Sequence, residues 1–177
     1  MFGHSFAQIQ IVIIKCIMTK QTRFGLSKNE ISTSTSTLTI VLGSEMVLYV
    51  KMRNYHWNIS GNSFIELHRL IEEQYKKTEL IIDEVAERIS KLGGRAIGSM
   101  HEFLKNSVLE ESKIDSLNQK NMIEDLCDDH EKIAGKFREF IEIVDKETND
   151  IVTVDFLTGI LESHESNGWI LKKYLNN

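Results

Sequence analysis

One long stretch, residues 63 to 92, carries apolar side chains at every third or fourth position and contains no proline. This spacing places the apolar residues on one face of a helix with about 3.6 residues per turn, so it predicts a single amphipathic helix. Two glycines, at 93 and 94, are typical of the end of such a helix. The helix must bury its apolar face against neighbours, which directs the chain towards packed helices. The apolar face consists of Ile71, Tyr75, Thr78, Ile82, Val85, Ile89 and Leu92.

Three further long segments and one short segment show helical patterns, and no segment alternates as a strand does. The long segments run from Leu38 to about Ile59, from Ser116 to about Lys146 and from about Thr153 to Leu175, and the short one covers 99–106. The 177 residues contain no proline, which favours uninterrupted helices. The chain is therefore predicted to be all-α, a four-helix bundle with a short extra helix between helices 2 and 3.

Residues 1–34 are predicted to form a flexible N-terminal extension, followed by one domain over residues 35–177. The serine and threonine run at 32–39 predicts helix caps. Met18 is a candidate for the true start, because the apolar segment before it lacks the features of a signal peptide. No apolar run reaches the roughly 18 residues of a membrane span. The two cysteines form no CxxC pair, which fits a reducing, cytoplasmic setting.

A row of potential metal ligands lies beside the apolar face of the 63–92 helix: His68, Glu72, Glu79, Asp83 and Glu87. His68 and Glu72 are four residues apart, and so are Asp83 and Glu87, so the members of each pair can converge on one ion. Imidazole and carboxylate groups together suit iron. A solvated acidic face is the alternative explanation of the same row.

The two pairs lie far apart along their helix. Their centres, near residues 70 and 85, are separated by roughly 22 Å at ~1.5 Å per residue. One chain cannot bring both pairs to one ion, whereas a two-fold axis near Lys77 would lay the helix antiparallel against its copy. The first pair of one subunit, joined by His56, would then meet the second pair of the other subunit. The sequence therefore predicts a metal site at a homodimer interface.

Two segments of the chain resemble the Dps proteins, the mini-ferritins named for DNA binding in starved cells. They are "YHWNISGNSFIELHRLIEEQY…IDEVAERISKLGG" and "DIVTVDFLTGILESHESNGWILKKYL" (150–175). The resemblance runs from about Leu38 to Leu175 and leaves the first 34 residues uncovered. It implies a ferritin-like bundle, twelve copies of which form a hollow shell, with ferroxidase centres between two-fold-related subunits.

The resemblance also implies a ligand set. Glu72 stands where the family more often has Asp, which shifts the oxygens of the second iron position. Trp57 and Trp169 match aromatic residues that flank the centre, with core packing as the alternative role. The centre would hold two iron ions, with zinc as a substitute, and its matching residues are His56, His68 and Glu72 of one subunit, and Asp83 and Glu87 of the other.

The function implied is that of an iron-binding ferroxidase. It would oxidise Fe(II) with hydrogen peroxide or oxygen, store Fe(III) mineral in the shell and protect the cell from oxidative damage. Asp150 and Asp155 match acidic positions of the family's iron-entry pores, to which Asp145 is a lesser candidate. Helix capping is the alternative explanation for Asp150.

Two other functions remain open. A di-iron enzyme acting on an organic substrate calls for Glu-x-x-His motifs, and none occurs in this chain. A DNA-compacting shell without ferroxidase activity would use the basic residues of the extension, although the net charge of −5 opposes contact with phosphate. Among the remaining candidates, Cys127 and His130 are predicted to be packed, and His164 matches a family position without an evident metal partner.

Overall fold

The structure, a computed structural model, describes residues 24–112 and 118–175, which form five helices. The predicted all-α fold, with a short helix between the second and third long helices, is confirmed. No helix in these residues is long and apolar enough to cross a bilayer. Met18 lies outside the described residues. The helices are α1 (Lys28–Asn58), α2 (Phe64–Lys91), α3 (Met100–Asn106), α4 (Gln119–Glu147) and α5 (Ile151–Leu175).

Contacts between side chains show how the chain runs through the bundle. Helix α1 is antiparallel to both α2 and α4, so α2 and α4 run parallel to each other. The connection between them must therefore return along the bundle, and it accommodates α3 on the way. The contacts that define these directions are Tyr49–Tyr75 and His56–His68 between α1 and α2, and Tyr55–Asp125 and Lys51–Asp129 between α1 and α4.

Helix α1 begins well before its predicted start. Ser27 caps it by accepting a hydrogen bond from the Glu30 N–H, and the Glu30 carboxylate accepts one from the Ser27 N–H at 2.7 Å. The predicted start is wrong because the run at 32–39 is helical and does not cap the helix. Its hydroxyls are satisfied inside the helix, as when Thr35 Oγ1 donates to a carbonyl one turn back at 2.8 Å. The last part of the predicted extension is thus helical.

The Glu30 carboxylate also ties α1 to the turn between α4 and α5. Its Oε1 accepts hydrogen bonds from the N–H of Asn149, at 3.0 Å, and from Asn149 Nδ2, at 2.6 Å. The hydrogen bonds from Ser27, followed by those from Asn149, lower the pKa of Glu30 to about 2. One side chain therefore joins the first turn of α1 to the turn between α4 and α5.

Helix α3 rests directly on the backbone of α1. A Cβ atom at Gly43 would lie 2.8 Å from the carbonyl oxygen of Phe103, so only glycine allows this approach. Ser44 Oγ then accepts a hydrogen bond from the N–H of Val108 at 3.1 Å. These contacts hold α3 over a core whose largest fully buried side chains include Phe137, Leu42, Leu48, Met52, Ile71 and Leu126.

Candidate metal centre

Two histidines meet where α1 ends and α2 begins. The rings of His56 and His68 stack with their centroids 3.7 Å apart. His56 Nδ1 lies 2.9 Å from the carbonyl oxygen of His68, and His68 Nδ1 lies 2.9 Å from the carbonyl oxygen of His56. The turn between the helices passes through Gly61, whose φ of 117° suits glycine alone. The structure thus brings the two predicted ligands together through reciprocal hydrogen bonds.

These hydrogen bonds determine which nitrogen of each ring carries the proton. A carbonyl oxygen can only accept, so each Nδ1 donates. In a neutral imidazole the other nitrogen, Nε2, then keeps its lone pair. Histidines that bind metals commonly donate their second N–H to a carbonyl or carboxylate, which fixes the orientation of the ring. The pair therefore offers two oriented nitrogen donors.

Aromatic rings hold this pair in place. The ring of Tyr75 stands edge-on to His56 with centroids 5.3 Å apart, and the ring of Phe64 lies 5.1 Å from that of His68. The guanidinium of Arg53 lies 4.8 Å from the centroid of the Tyr75 ring, within the range of a cation–π contact. The imidazoles are consequently packed on several sides and have little freedom to reorient.

Both tryptophans lie at the surface of the chain. Trp57 follows His56 directly and is 65% exposed, with Arg53 5.2 Å from its ring centroid. Trp169 on α5 is 62% exposed and lines a cavity of about 420 Å³ together with His130. Core packing, the alternative role, is therefore wrong for both residues within this chain.

Glu72 lies one turn beyond His68 on α2. Its Oε1 lies 2.5 Å from Nζ of Lys76, the residue four positions further on. The hydrogen bond from Lys76, followed by the charge of that ammonium, lowers the pKa of Glu72. Glu72 lies on the same helix as His68, one turn further on. Glu72 thus belongs to the same predicted half-site as His56 and His68, and its carboxylate is paired with Lys76.

Asp83 and Glu87 lie further along α2 and are exposed. Glu87 Oε2 lies 2.8 Å from Lys91 Nζ, and this hydrogen bond lowers the pKa of Glu87. Helix α2 is continuous between His68 and Asp83, so their Cα atoms are separated by roughly 22 Å along its axis. Among the described residues, no three potential ligands come together around one ion. Within one chain the predicted ligands therefore lie in two separate groups.

The two predicted pore residues differ in their surroundings. Asp150 is only 4% exposed, and its Oδ1 accepts hydrogen bonds from Arg88 Nη2 at 2.6 Å and from the N–H of Thr153 at 3.1 Å. Burial opposes its ionisation, but the hydrogen bonds from Thr153 and the charge of Arg88 hold the pKa below the ordinary value. Asp150 thus caps the start of α5, as in the alternative explanation. Asp155, like Asp145, is exposed.

Sequence reasoning missed a buried polar chain in the core. His164 Nε2 lies 2.7 Å from Glu45 Oε1, and His164 Nδ1 lies 2.9 Å from His130 Nδ1. The three residues are 2%, 0% and 1% exposed, respectively. Burial, followed by the charge of His164, lowers the pKa of His130 well below its ordinary value. The one signal in the sequence was Glu45, a carboxylate inside an apolar stretch of α1.

Buried Lys51 and Asp129 form a second polar group together with Asp125, whose side chain is 41% exposed. Lys51 Nζ lies 2.6 Å from Asp129 Oδ2 and 3.1 Å from Asp125 Oδ2. Burial raises the pKa of Asp129 to about 6, although the hydrogen bond and charge of Lys51 act in the opposite direction. The group lies beside an acidic cleft of about 540 Å³ that is also lined by Glu110 and Glu124. Lys51 lies on α1 and the two aspartates lie on α4. Sequence spacing within one helix could not predict this contact between helices.

Comparisons with known proteins place this geometry in a family. The family model of the ferritin-like domain matches residues 36–177. A low temperature-induced protein of Nostoc sp. is 39% identical over 134 residues, which are 76% of this chain and 75% of that protein. DNA protection during starvation protein 2 of Bacillus anthracis is 34% identical over 130 residues, which are 73% of this chain and 88% of that protein.

Solved structures agree with the sequence relatives. The Dps protein of Vibrio cholerae O1, described as a member of a broad superfamily of ferritin-like diiron-carboxylate proteins, has a TM-score of 0.80 at 32% identity. The alignment covers 87% of this chain and 96% of that chain. The chain belongs to the ferritin-like family and, within it, to the Dps proteins.

Proposed function

We propose that this protein is a ferroxidase that stores iron. It oxidises Fe(II) at a centre between two copies of the chain and keeps the Fe(III) mineral inside a shell of twelve copies. The observation that carries the proposal is the reciprocal hydrogen bonding of His56 and His68, which leaves one nitrogen lone pair free on each ring. The family, whose V. cholerae member is described among diiron-carboxylate proteins, supports iron as the metal.

The centre is completed by a second subunit. A two-fold axis near Lys77 brings Asp83 and Glu87 of one copy to the histidine pair of the other, because the spacing along α2 is the same in both copies. Each pair of subunits then holds two equivalent centres. The histidines, Asp83 and Glu87 bind the first ion, and Glu72 serves the second ion, with nitrogen and oxygen ligands that suit Fe(II).

The reaction transfers two electrons to one peroxide. Two Fe(II) ions give one electron each, the O–O bond of hydrogen peroxide breaks, and two protons complete two water molecules. The iron leaves as Fe(III), which is hydrolysed and deposited as mineral. Two ions at one centre therefore consume peroxide without releasing a hydroxyl radical, and this protects the cell.

Iron entry is assigned to Asp155. Its carboxylate is exposed, and rings of carboxylates around a pore concentrate cations. Asp150 is not included, because its carboxylate is held by Arg88 and Thr153.

The proposal is tested by measuring Fe(II) oxidation with peroxide in the parent and in the double variant Asp83→Ala/Glu87→Ala. Loss of the ferroxidase ligands is expected to reduce the initial rate by about a hundredfold or more, in the range that removal of essential groups produces. The matched control is Glu139→Ala/Glu142→Ala, which removes two exposed carboxylates from α4. Equal rates in the parent and the Asp83/Glu87 variant would refute the ferroxidase assignment.

Mixing subunits tests whether the centre is shared between chains. The His68→Ala chain lacks the first half of the centre, and the Asp83→Ala/Glu87→Ala chain lacks the second half. When the two chains are assembled together, each mixed pair has one intact and one doubly altered centre, so activity should return to part of the parental rate. A mixture as inactive as its separate components, or a stable monomer in light scattering, would contradict a shared centre.

DNA binding is the alternative function, and it is suggested by the name of the B. anthracis relative. The basic residues Lys15, Lys20 and Arg23 lie outside the described residues, and Lys28 begins α1. A gel shift at low and moderate salt tests this function, because contacts with phosphate weaken as salt rises. Retardation at low salt would support it, and its absence there would exclude it.

A further inference from the structure

On α2, Glu72 and Glu87 each form an ion pair with a lysine four residues further on. Glu72 pairs with Lys76 at 2.5 Å, and Glu87 pairs with Lys91 at 2.8 Å. The two pairs share their spacing, but they differ in what surrounds the carboxylate. Glu87 acts together with Asp83 and the two histidines at the first ion. Glu72 is the only ligand that this subunit gives to the second ion.

The two lysines also differ in their place along α2. Lys91 ends the helix, beyond the residues of the centre. Lys76 lies between Glu72 and Asp83, next to the residue near which we place the two-fold axis. Assembly of two subunits therefore brings Lys76 towards the middle of the interface, whereas Lys91 stays at its edge.

We propose that Lys76 is a built-in counter-ion of the centre, which the second iron must displace from Glu72. This inference rests on the proposed function and adds a residue that sets the order of iron binding. Before iron arrives, the ammonium of Lys76 neutralises the Glu72 carboxylate. The first ion binds at the histidines without disturbing this pair. The second ion binds the same carboxylate, whose Oε1 faces Lys76, and therefore competes with the ammonium for it.

The strength of the pair suits this role. In the single chain, 61% of the Lys76 side chain and 35% of the Glu72 side chain are exposed, so the ion pair is weak before two subunits assemble. The lysine remains tethered four residues away after it is displaced, and its charge then repels the incoming dication. The second ion is therefore expected to bind more weakly than the first in the parent protein.

The test is a calorimetric titration of the assembled, full-length protein with zinc ion, which binds without a redox step. In Lys76→Gln the second zinc per centre should bind about tenfold more tightly, because a unit charge beside a dication is removed. The first zinc should be unchanged. Lys76→Arg keeps the charge and should retain the weak second ion. The matched control, Lys146→Gln, removes the lysine of a similarly spaced pair with Glu142 on α4 and should alter neither ion.

The outcomes separate this inference from the proposed function. A second zinc that binds equally well in the parent and in Lys76→Gln overturns the role of Lys76, as does tighter binding in Lys76→Arg equal to that in Lys76→Gln. These results leave the ferroxidase centre intact provided that His68→Ala still weakens zinc binding by about a hundredfold. Zinc binding that is insensitive to His68→Ala would instead defeat the proposed centre itself.

Discussion

The bundle contains two histidine pairs, and in both an Nδ1 atom takes part in a hydrogen bond of 2.9 Å. In the pair at the α1–α2 turn, each ring donates to a backbone carbonyl. In the core pair, His130 and His164 bond to each other, and His164 continues to Glu45. The first pair is partly exposed and keeps its Nε2 atoms for a ligand, whereas the second is buried.

The difference shows that the hydrogen-bond partner decides what a histidine pair can do. A carbonyl fixes the proton on Nδ1 and leaves a metal donor on the other side of the ring. His164 uses both ring nitrogens, Nε2 towards Glu45 and Nδ1 towards His130, so it has none left for a metal. The first pair is therefore suited to binding and the second to joining α1, α4 and α5. Loss of each should affect a different property.

The largest effect is expected for His164→Ala, which leaves the Glu45 carboxylate buried without its partner. Leaving one partner of a buried hydrogen bond unsatisfied costs about 1–3 kcal/mol of unfolding free energy, and more for a charged group. Urea unfolding at fixed protein concentration measures this loss. His101→Ala, which removes an exposed histidine on α3, serves as the control and should change stability little. A loss in His164→Ala as small as in the control would show that the core chain contributes no stability.

A smaller but more specific effect is expected for His68→Ala. It removes one of the two proposed nitrogen ligands and the hydrogen bond to the carbonyl of His56. Zinc affinity should fall by about a hundredfold, which corresponds to roughly 2.7 kcal/mol. The unfolding free energy should fall by only about 1 kcal/mol, the usual value of one hydrogen bond. If stability fell as far as in His164→Ala, the contrast between the two pairs would disappear.

The smallest effect concerns the pH dependence of the core pair. His130 has a folded pKa well below the unfolded value of 6.5, so the unfolded chain binds more protons below pH 6.5. Its stabilising contribution is present above that pH and is lost as pH falls, by up to about 1.4 kcal/mol per pH unit. The difference in unfolding free energy between the parent and His130→Gln should therefore shrink from pH 7 to pH 5.

The measurement compares the unfolding free energies of the parent and His130→Gln because Asp129 changes stability with pH in the opposite direction. Its folded pKa of about 6 exceeds the unfolded value of 3.8, so its contribution to stability grows as pH falls through this interval. Asp129 is common to the parent and the variant, and its effect largely cancels when the two are compared. A difference that stays constant between pH 7 and pH 5 would contradict the burial of a neutral His130.

The sequence predicted the helices more completely than the contacts of the core. The periodic apolar face of α2 and the absence of proline indicated its length almost to the residue. The start of α1 was not predicted, because a capping box at Ser27 and Glu30 outweighed the low-complexity run that follows. Such caps are local and can be read from sequence, whereas the threonine run gave a competing signal.

Sequence spacing could divide the proposed ligands into two groups but could not predict the contacts within each group. The reciprocal bonds between His56 and His68 depend on how two helices meet at a turn. The bond between Glu45 and His164 joins residues 119 positions apart, and no periodicity connects them. The assignment of Asp83 and Glu87 to a second subunit follows from the continuous α2 and remains a prediction.

At the end of the bundle where α1 begins, the Glu30 carboxylate has a pKa far below its ordinary value. It joins the beginning of α1 to Asn149, in the turn before α5, and its pKa is about 2. The stability that this tie contributes is present above the ordinary glutamate pKa of 4.5 and is lost only as pH falls towards 2. As the pH falls, this end of the bundle should therefore open later than regions held by carboxylates of ordinary pKa. Acid unfolding should then begin elsewhere in the bundle.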